Sequence, residues 1–278
     1  MFENRFAFLK MRIATLLLAS LGTLAVAGCA TPPSDPIART EFEKENDPLE
    51  PLNRAIFGFN RTMDGMFLRP AAVAYREVLP QPVQKGVYNF LGNLRSPVVF
   101  ANDVLQGDID RAGNTAGRFA INTTVGILGV WDAAAELFNM QGHSEDFGQT
   151  FGVWGVGEGF YFVLPFLGPS NPRDATGLLV EYLVDPFNLW AREQNVEGWT
   201  LARSLVTGVD FRARNLQTLD ELERTSLDYY VAVRSLYRQR RADEIRNGRP
   251  TSDQPAPGIT VAPEGQKSAG DDRSAEAR

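Results

Sequence analysis

The sequence predicts an all-α fold. Three observations carry that prediction. Apolar residues recur at three- and four-residue spacing through most of residues 47–245, prolines, glycines and capping aspartates mark the joints between those stretches, and strand-like alternation is scarce. At 278 residues, 44% hydrophobic and 22% charged, the chain has the make-up of a folded protein with one substantial domain or two small ones.

The first element is a secretory leader, residues 1–28. Arg12 precedes an uncharged, mainly apolar stretch from Ile13 to Val26, and the small residues Ala27 and Gly28 lead to Cys29. The stretch is too short to span a bilayer. Either Met1 or Met11 serves as the start, since Met11-Arg12 alone supplies a positive leader end. The run Val26-Ala27-Gly28-Cys29 resembles a bacterial lipobox, with Val26 where Leu is commoner. That resemblance implies cleavage before Cys29 and acylation of its thiol and new amine, and two or more acyl chains anchor a protein stably. An ordinary cleaved leader with an incidental cysteine, or a short buried helix, is the alternative; the position of the only cysteine favours lipidation. Ala30 stands where, by the same resemblance, an Asp retains lipoproteins at the inner membrane. Outer-membrane sorting, with the protein on the periplasmic side, is the expectation.

Residues 29–46 are polar and proline-bearing and read as a tether. Asp47-Pro48-Leu49-Glu50 then reads as a helix start, Asp47 being the cap, with Leu52, Ile56, Phe59, Met63 and Met66 as one apolar stripe. Pro82 opens a second helix carrying Val83, Val87, Phe90, Leu91 and Leu94. Gly107 closes it and Asp108 caps the next, in which Ala112, Ala116, Phe119 and Ala120 share a face. Residues 147–169 form an apolar run with one charge, Glu158, broken by glycines and prolines. Such a segment is a buried core hairpin, lies at a membrane interface, or lines a cavity, because bare backbone facing lipid leaves polar groups unpaired. The last helix is expected over 210–245. From residue 246 to 278 the chain is rich in Pro, Gly, Ser, Asp and Glu, a composition expected to be disordered. The helical domain is thus expected over 47–245.

Charge and residue types narrow the chemistry. Residues 1–28 hold Glu3, Arg5, Lys10 and Arg12; without them the chain keeps 25 basic and 33 acidic residues, a net charge of −8. That acidity speaks against nucleic acid as a partner and against docking on anionic lipid through a basic face. With one cysteine and one histidine, His143, a zinc site must draw mostly on carboxylates, so no metal and no cofactor are expected. The glycines of 155–159 lack dinucleotide spacing, and no GxxxxGK[ST] run exists. His143-Ser144-Glu145-Asp146 reads as a polar turn and helix start in preference to a catalytic group. No catalytic residue is assigned and the chain is not expected to be an enzyme, although carboxylate-only catalysis stays open. Gly113 and Gly117 give a G-x-x-x-G spacing, read as tight helix packing.

Four blocks together resemble the MlaA/VacJ lipoproteins: DPLEPLNRAIFGFN (47–60), FLRPAAVAYREVLPQPVQKGVYNFLGNLRSPVVFANDVLQGD (67–108), FAINTTVGILGVWDAA (119–134) and EDFGQTFGVWGVGEGFYFVLPFLGPSNPRD (145–174). The resemblance implies a ring-shaped helical protein lying in the periplasmic leaflet of the outer membrane around an amphipathic central channel. It implies association with a trimeric porin and hand-over of phospholipid to a periplasmic carrier of the Mla pathway, so that phospholipid strayed into the outer leaflet is removed. The long tail and Val26 depart from the family pattern, outside the matched blocks.

A phospholipid crosses between leaflets slowly because its charged head must traverse hydrocarbon, and a polar wall beside apolar surface lowers that barrier without fuel. On this reading Phe57, Phe59 and Met63 of the interfacial helix 49–67, with Phe160, Phe162 and Phe166, contact lipid. Asp108, Asp110, Arg111, Asn114, Arg118 and Asn122 line the passage. The rival readings are a lipoprotein hydrolase acting on lipid or cell wall, and a porin-associated scaffold without transport.

Overall fold

The computed structural model describes residues 47–247. The expected leader, Cys29, the tether and the tail from residue 248 lie outside the described residues. The all-α expectation holds: eleven α-helices, one π-helical turn and one short hairpin make up the described chain.

Helix α1 (Glu50–Met63) starts behind Leu49, with Pro51 in its first turn. Asp47 is not its cap. Its carboxylate instead accepts from Asn53 (2.7 Å), Arg234 (2.8 Å) and the Tyr230 hydroxyl, because charge-assisted bonds to an arginine outweigh a helix cap. α1 runs through a π-helical turn, Asp64–Leu68, into α2 (Arg69–Val78). Pro70 cannot donate a backbone hydrogen bond and crowds the preceding turn, which the wider π turn absorbs. Helix α3 (Gln81–Leu105) has Pro82 in its first turn, as the sequence predicts, and carries Pro97 inside. Gly107 then takes a left-handed φ of 77° and Asp108 caps α4 (Ile109–Thr124), accepting from the Arg111 N–H at 3.1 Å.

Helix α5 (Ala133–Phe138) is capped by Asp132 and α6 (Phe147–Val153) by Asp146. The apolar segment after α6 forms an antiparallel hairpin, β1 (Phe162–Leu164) and β2 (Gly168–Ser170), with Phe162 opposite Ser170 and Leu164 opposite Gly168. Asn171 caps α7 (Pro172–Val184) and Asp185 caps α8 (Pro186–Glu193). The single long helix expected over 210–245 is three elements: the end of α9 (Gly198–Arg214), α10 (Leu216–Thr225) and α11 (Tyr229–Ile245). No glycine or proline marks these breaks. Ser226 is extended, Asp228 caps α11 by accepting from the Val231 N–H, and the apolar spacing carries on across both joints.

α3 packs along α4, α6 against α7, and α2 against α9. Two small clusters hold the apolar core. Ala72, Ala213 and Leu216 form one; Tyr161, Val163 and Tyr230 form the other, with Ile56, Phe57, Val231 and Tyr237 around it. Between them the interior is polar: among the described residues, buried polar and charged side chains outnumber buried apolar ones. No helix of the described residues is long and apolar enough to cross a membrane.

Candidate functional site: a polar interior within an apolar shell

In a protein surrounded by water, large apolar side chains go inside and polar ones out. Here part of the arrangement is reversed, although charged side chains such as Lys85, Arg224 and Asp243 are exposed as well. Asn53, Asn102, Asp103, Glu145, Thr150 and Asp210 are almost wholly buried, while Met66, Phe67, Ile127, Leu128, Phe166, Leu167, Trp199 and Leu201 stand in the open.

The buried polar groups survive because they are paired. On one side, Arg241 holds Asp146 (2.7 and 3.0 Å) and Asp174 (2.8 Å), and the Tyr237 hydroxyl donates to the same Asp174 oxygen. Burial alone raises the Asp146 carboxyl; the bonds and charge of Arg241 outweigh it and bring the pKa down to about 2. Deeper in, Thr150 donates to Asn102 (2.7 Å), and Gln106 donates to both Glu145 (2.8 Å) and Thr150 (3.1 Å). Burial pushes the Glu145 carboxyl above its usual range, with Gln106 and Arg111 opposing. His143 Nε2 lies 2.9 and 3.0 Å from the two Asp103 oxygens and 3.3 Å from the Thr115 hydroxyl, which itself donates to Asp103 at 2.6 Å. Acid and hydroxyl thus share one ring nitrogen, whereas a nucleophilic triad needs them on opposite nitrogens.

The six residues expected to line a passage diverge. Asp108 and Asp110 border an open cleft of about 790 Å³ shared with Gln106, Gly152, Ile245 and Arg246. Arg111 turns inward to Glu145 and Asp103. Asn114 donates to the Gln141 carbonyl (2.8 Å). Arg118 grips Asp132 through Nη2 (2.8 and 3.0 Å) and donates to the Met140 carbonyl. Asn122 is buried, donating to Asp132 (2.9 Å) and accepting from the Ala134 N–H (2.9 Å).

Of the six residues expected at lipid, Phe59 and Phe166 are exposed and meet edge to face, centroids 5.3 Å apart. Phe160 is exposed beside the half-buried Phe162. Met63 is half-buried, and Phe57 turns in on Tyr229 and Tyr230. The G-x-x-x-G pair divides too: Gly117 faces Met140 closely, while nothing lies near Gly113.

Sequence reasoning passed over the asparagines. Asn53 and Asn60 face the hairpin from α1, and Asn93 and Asn102 face inward from α3. Their signal was present: a polar amide at helical spacing within an otherwise apolar stripe. Sequence reasoning also missed the loop after α4, where Ile127 (φ 53°) and Leu128 (φ 57°) adopt left-handed backbone and point outward. A β-branched residue there is strained. Asn93 donates to the Leu128 carbonyl (3.4 Å), and the Gly129 N–H reaches the Asn122 carbonyl (2.8 Å).

A family model described as MlaA lipoprotein matches residues 45–244. The chain is 37% identical over 245 residues to an Escherichia coli protein named intermembrane phospholipid transport system lipoprotein MlaA, covering 86% of this chain and 90% of that one. A Haemophilus influenzae protein of the same name is 33% identical over 243 residues, covering 86% and 93%. A solved chain, reported under the structural basis for maintenance of bacterial outer membrane lipid asymmetry, superposes with a TM-score of 0.63 at 35% identity. It covers 72% of this chain and 98% of its own.

Proposed function

The chain belongs to the MlaA lipoprotein family, and from that premise we propose that it removes mislocalised phospholipid from the outer leaflet of the outer membrane and passes it toward the periplasm. The observation that carries this reading is the inversion of polarity. An apolar shell suits immersion in lipid, and a hydrogen-bonded polar interior suits a charged head group that must leave water. Because no described helix is long and apolar enough to cross a bilayer, the fitting placement is within one leaflet, held by the acylated Cys29. The ring shape and central channel belong to this proposal, as do a trimeric porin neighbour, a periplasmic lipid carrier and the periplasmic side. Transport is passive: direction comes from leaflet imbalance and removal downstream, and the chemistry is not enzymatic.

Reconstitution of the acylated chain with labelled phospholipid tests this. Intact lipid moving between leaflets or to an acceptor is the expected result. A cleaved product instead establishes a hydrolase, and porin binding without lipid movement establishes a scaffold.

A further inference from the structure

Two nearly dry carboxylates and the chain's one imidazole come together beside α3. Asp103 of α3 and Glu145, just ahead of α6, are each 1% exposed, and His143 lies 2.9 Å from Asp103. One donor atom from each of the three lies within 4.8 Å of the others. The Arg111 guanidinium pairs with Glu145 and stands 3.8 Å from Asp103, while Arg95 donates to the Glu145 backbone carbonyl at 3.4 Å. The buried Gln106 Oε1 has no hydrogen-bond partner among the described residues, so one acceptor beside Glu145 stays open.

We propose that Asp103, His143 and Glu145 form a binding site for one divalent transition-metal ion of the zinc class, with Arg111 as the displaceable counter-ion. An imidazole nitrogen with two carboxylates is a donor set zinc accepts, at about 2.0–2.2 Å per bond. Donors around a tetrahedral ion then sit roughly 3.4 Å apart, so the widest pair closes by about 1.4 Å, within reach of side-chain rotation. Magnesium and calcium favour six or more oxygens, which three side chains do not supply. A doubly charged ion balances the two carboxylates, and Arg111, whose side chain is 27% exposed, has room to swing outward. Thr115 already orients Asp103 and Gln106 already orients Glu145, as outer-shell partners do. The scarcity of histidine and cysteine in the sequence argues against a metal; the fold nonetheless brings the single histidine beside two carboxylates that α4 and α5 separate in the chain. The ion would tie α3 to the segment leading into α6, so it acts on stability and is independent of the lipid reading.

The test uses the untagged full chain in detergent, stripped with chelator and titrated with zinc chloride, with magnesium and calcium chloride in parallel. Expected are one zinc per chain by calorimetry, a Tm raised by several degrees, and little response to the other two ions. His143→Gln and Asp103→Asn should each weaken zinc binding by more than about tenfold, the lower range seen even for outer-shell changes. Arg111→Gln should bind zinc at least as tightly as the parent. If Asp103→Asn does not fold, His143→Gln decides, since that ring is partly at the surface. No zinc uptake by the parent chain overturns the proposal, as does unchanged affinity in His143→Gln, which would place the ion on scattered surface carboxylates.

Discussion

Asn53 and Asn60 stand seven residues apart on α1, and each clamps the hairpin backbone in the same two-way fashion. Asn53 donates to the Tyr161 carbonyl (3.2 Å) and accepts from the Val163 N–H (2.9 Å). Asn60 donates to the Leu164 carbonyl (2.8 Å) and accepts from the Phe166 N–H (2.8 Å). Each amide bonds the C=O of one residue and the N–H two further on, as a neighbouring strand would. Four backbone groups of the apolar hairpin are thereby satisfied without water, as an environment of hydrocarbon demands.

The two clamps differ in burial, and so in cost. Asn53→Ala strands buried groups, Asp47 among them, and is expected to cost about 3 kcal/mol or more; Asn60→Ala, nearer the surface, about 1–2 kcal/mol. Denaturant unfolding in detergent ranks the pair. Proteolytic nicking between residues 160 and 170 should increase in Asn60→Ala while the rest of the chain stays protected. A larger loss in Asn60→Ala than in Asn53→Ala would contradict this account.

Phe166 crowns the hairpin at 74% exposure with Phe59 edge-on to its ring. Phe166→Asp removes little internal packing, so the fold should survive while a charge enters the proposed lipid face. Membrane partitioning or phospholipid transfer is expected to fall severalfold with an unchanged helical circular dichroism spectrum. Unchanged partitioning and transfer would remove the hairpin tip from the lipid-contacting surface.

Two glycines of similar look in the sequence should respond oppositely to alanine. At Gly129 (φ 92°) a Cβ would come 2.3 Å from Asn93 Cβ, so Gly129→Ala should cost about 3 kcal/mol. At Gly113, inside α4 with open space around it, Gly113→Ala should stabilise by about 0.5–1 kcal/mol. Melting temperatures of the two variants check both signs. A destabilising Gly113→Ala would reinstate close packing at the first position of the G-x-x-x-G spacing.

Where local physics decides, the sequence could be read directly. Pro82, Gly107 and Asp108 punctuate α3 and α4 where expected, since φ restriction and capping act over a few residues. Asp47 misled because its partner, Arg234, is 187 residues away. The breaks at Asn215 and Ser226 hid for a related reason: the apolar period runs straight through them, and their marks are an Asn215 amide bonded back to the Phe211 carbonyl and the Asp228 cap of α11. The outward reading of Phe166 comes from the lipidated leader and not from its spacing, because a period gives a stripe and not the medium it meets. Arg111, Arg118 and Asn122 share α4 with Asp110, yet each follows its own partner, which no spacing encodes.

The Asp146–Arg241 pair sets the response to acid. A carboxyl held at about 2 in the folded chain and near 3.8 when unfolded adds stability that is complete above the unfolded value and is lost as pH falls through the folded one. The window is therefore about pH 4 down to about 2, and the amount is about 2 kcal/mol. Asp174, also lowered against its burial by Arg241, contributes in the same direction. Glu145 and Glu181, raised by burial, act oppositely: their contribution is present at low pH and fades as pH rises through their folded values. Asp146→Asn separates the carboxylate from the geometry, because an asparagine still caps α6 through Gln149 while giving up the charge. That variant should be less stable at neutral pH and should lose less stability between pH 4 and 2 than the parent. Urea unfolding across that range measures the slope. An unaltered slope would mean that Arg241 stays neutralised by Asp174 and Glu244 alone, and that Asp146 titrates as though it were in water.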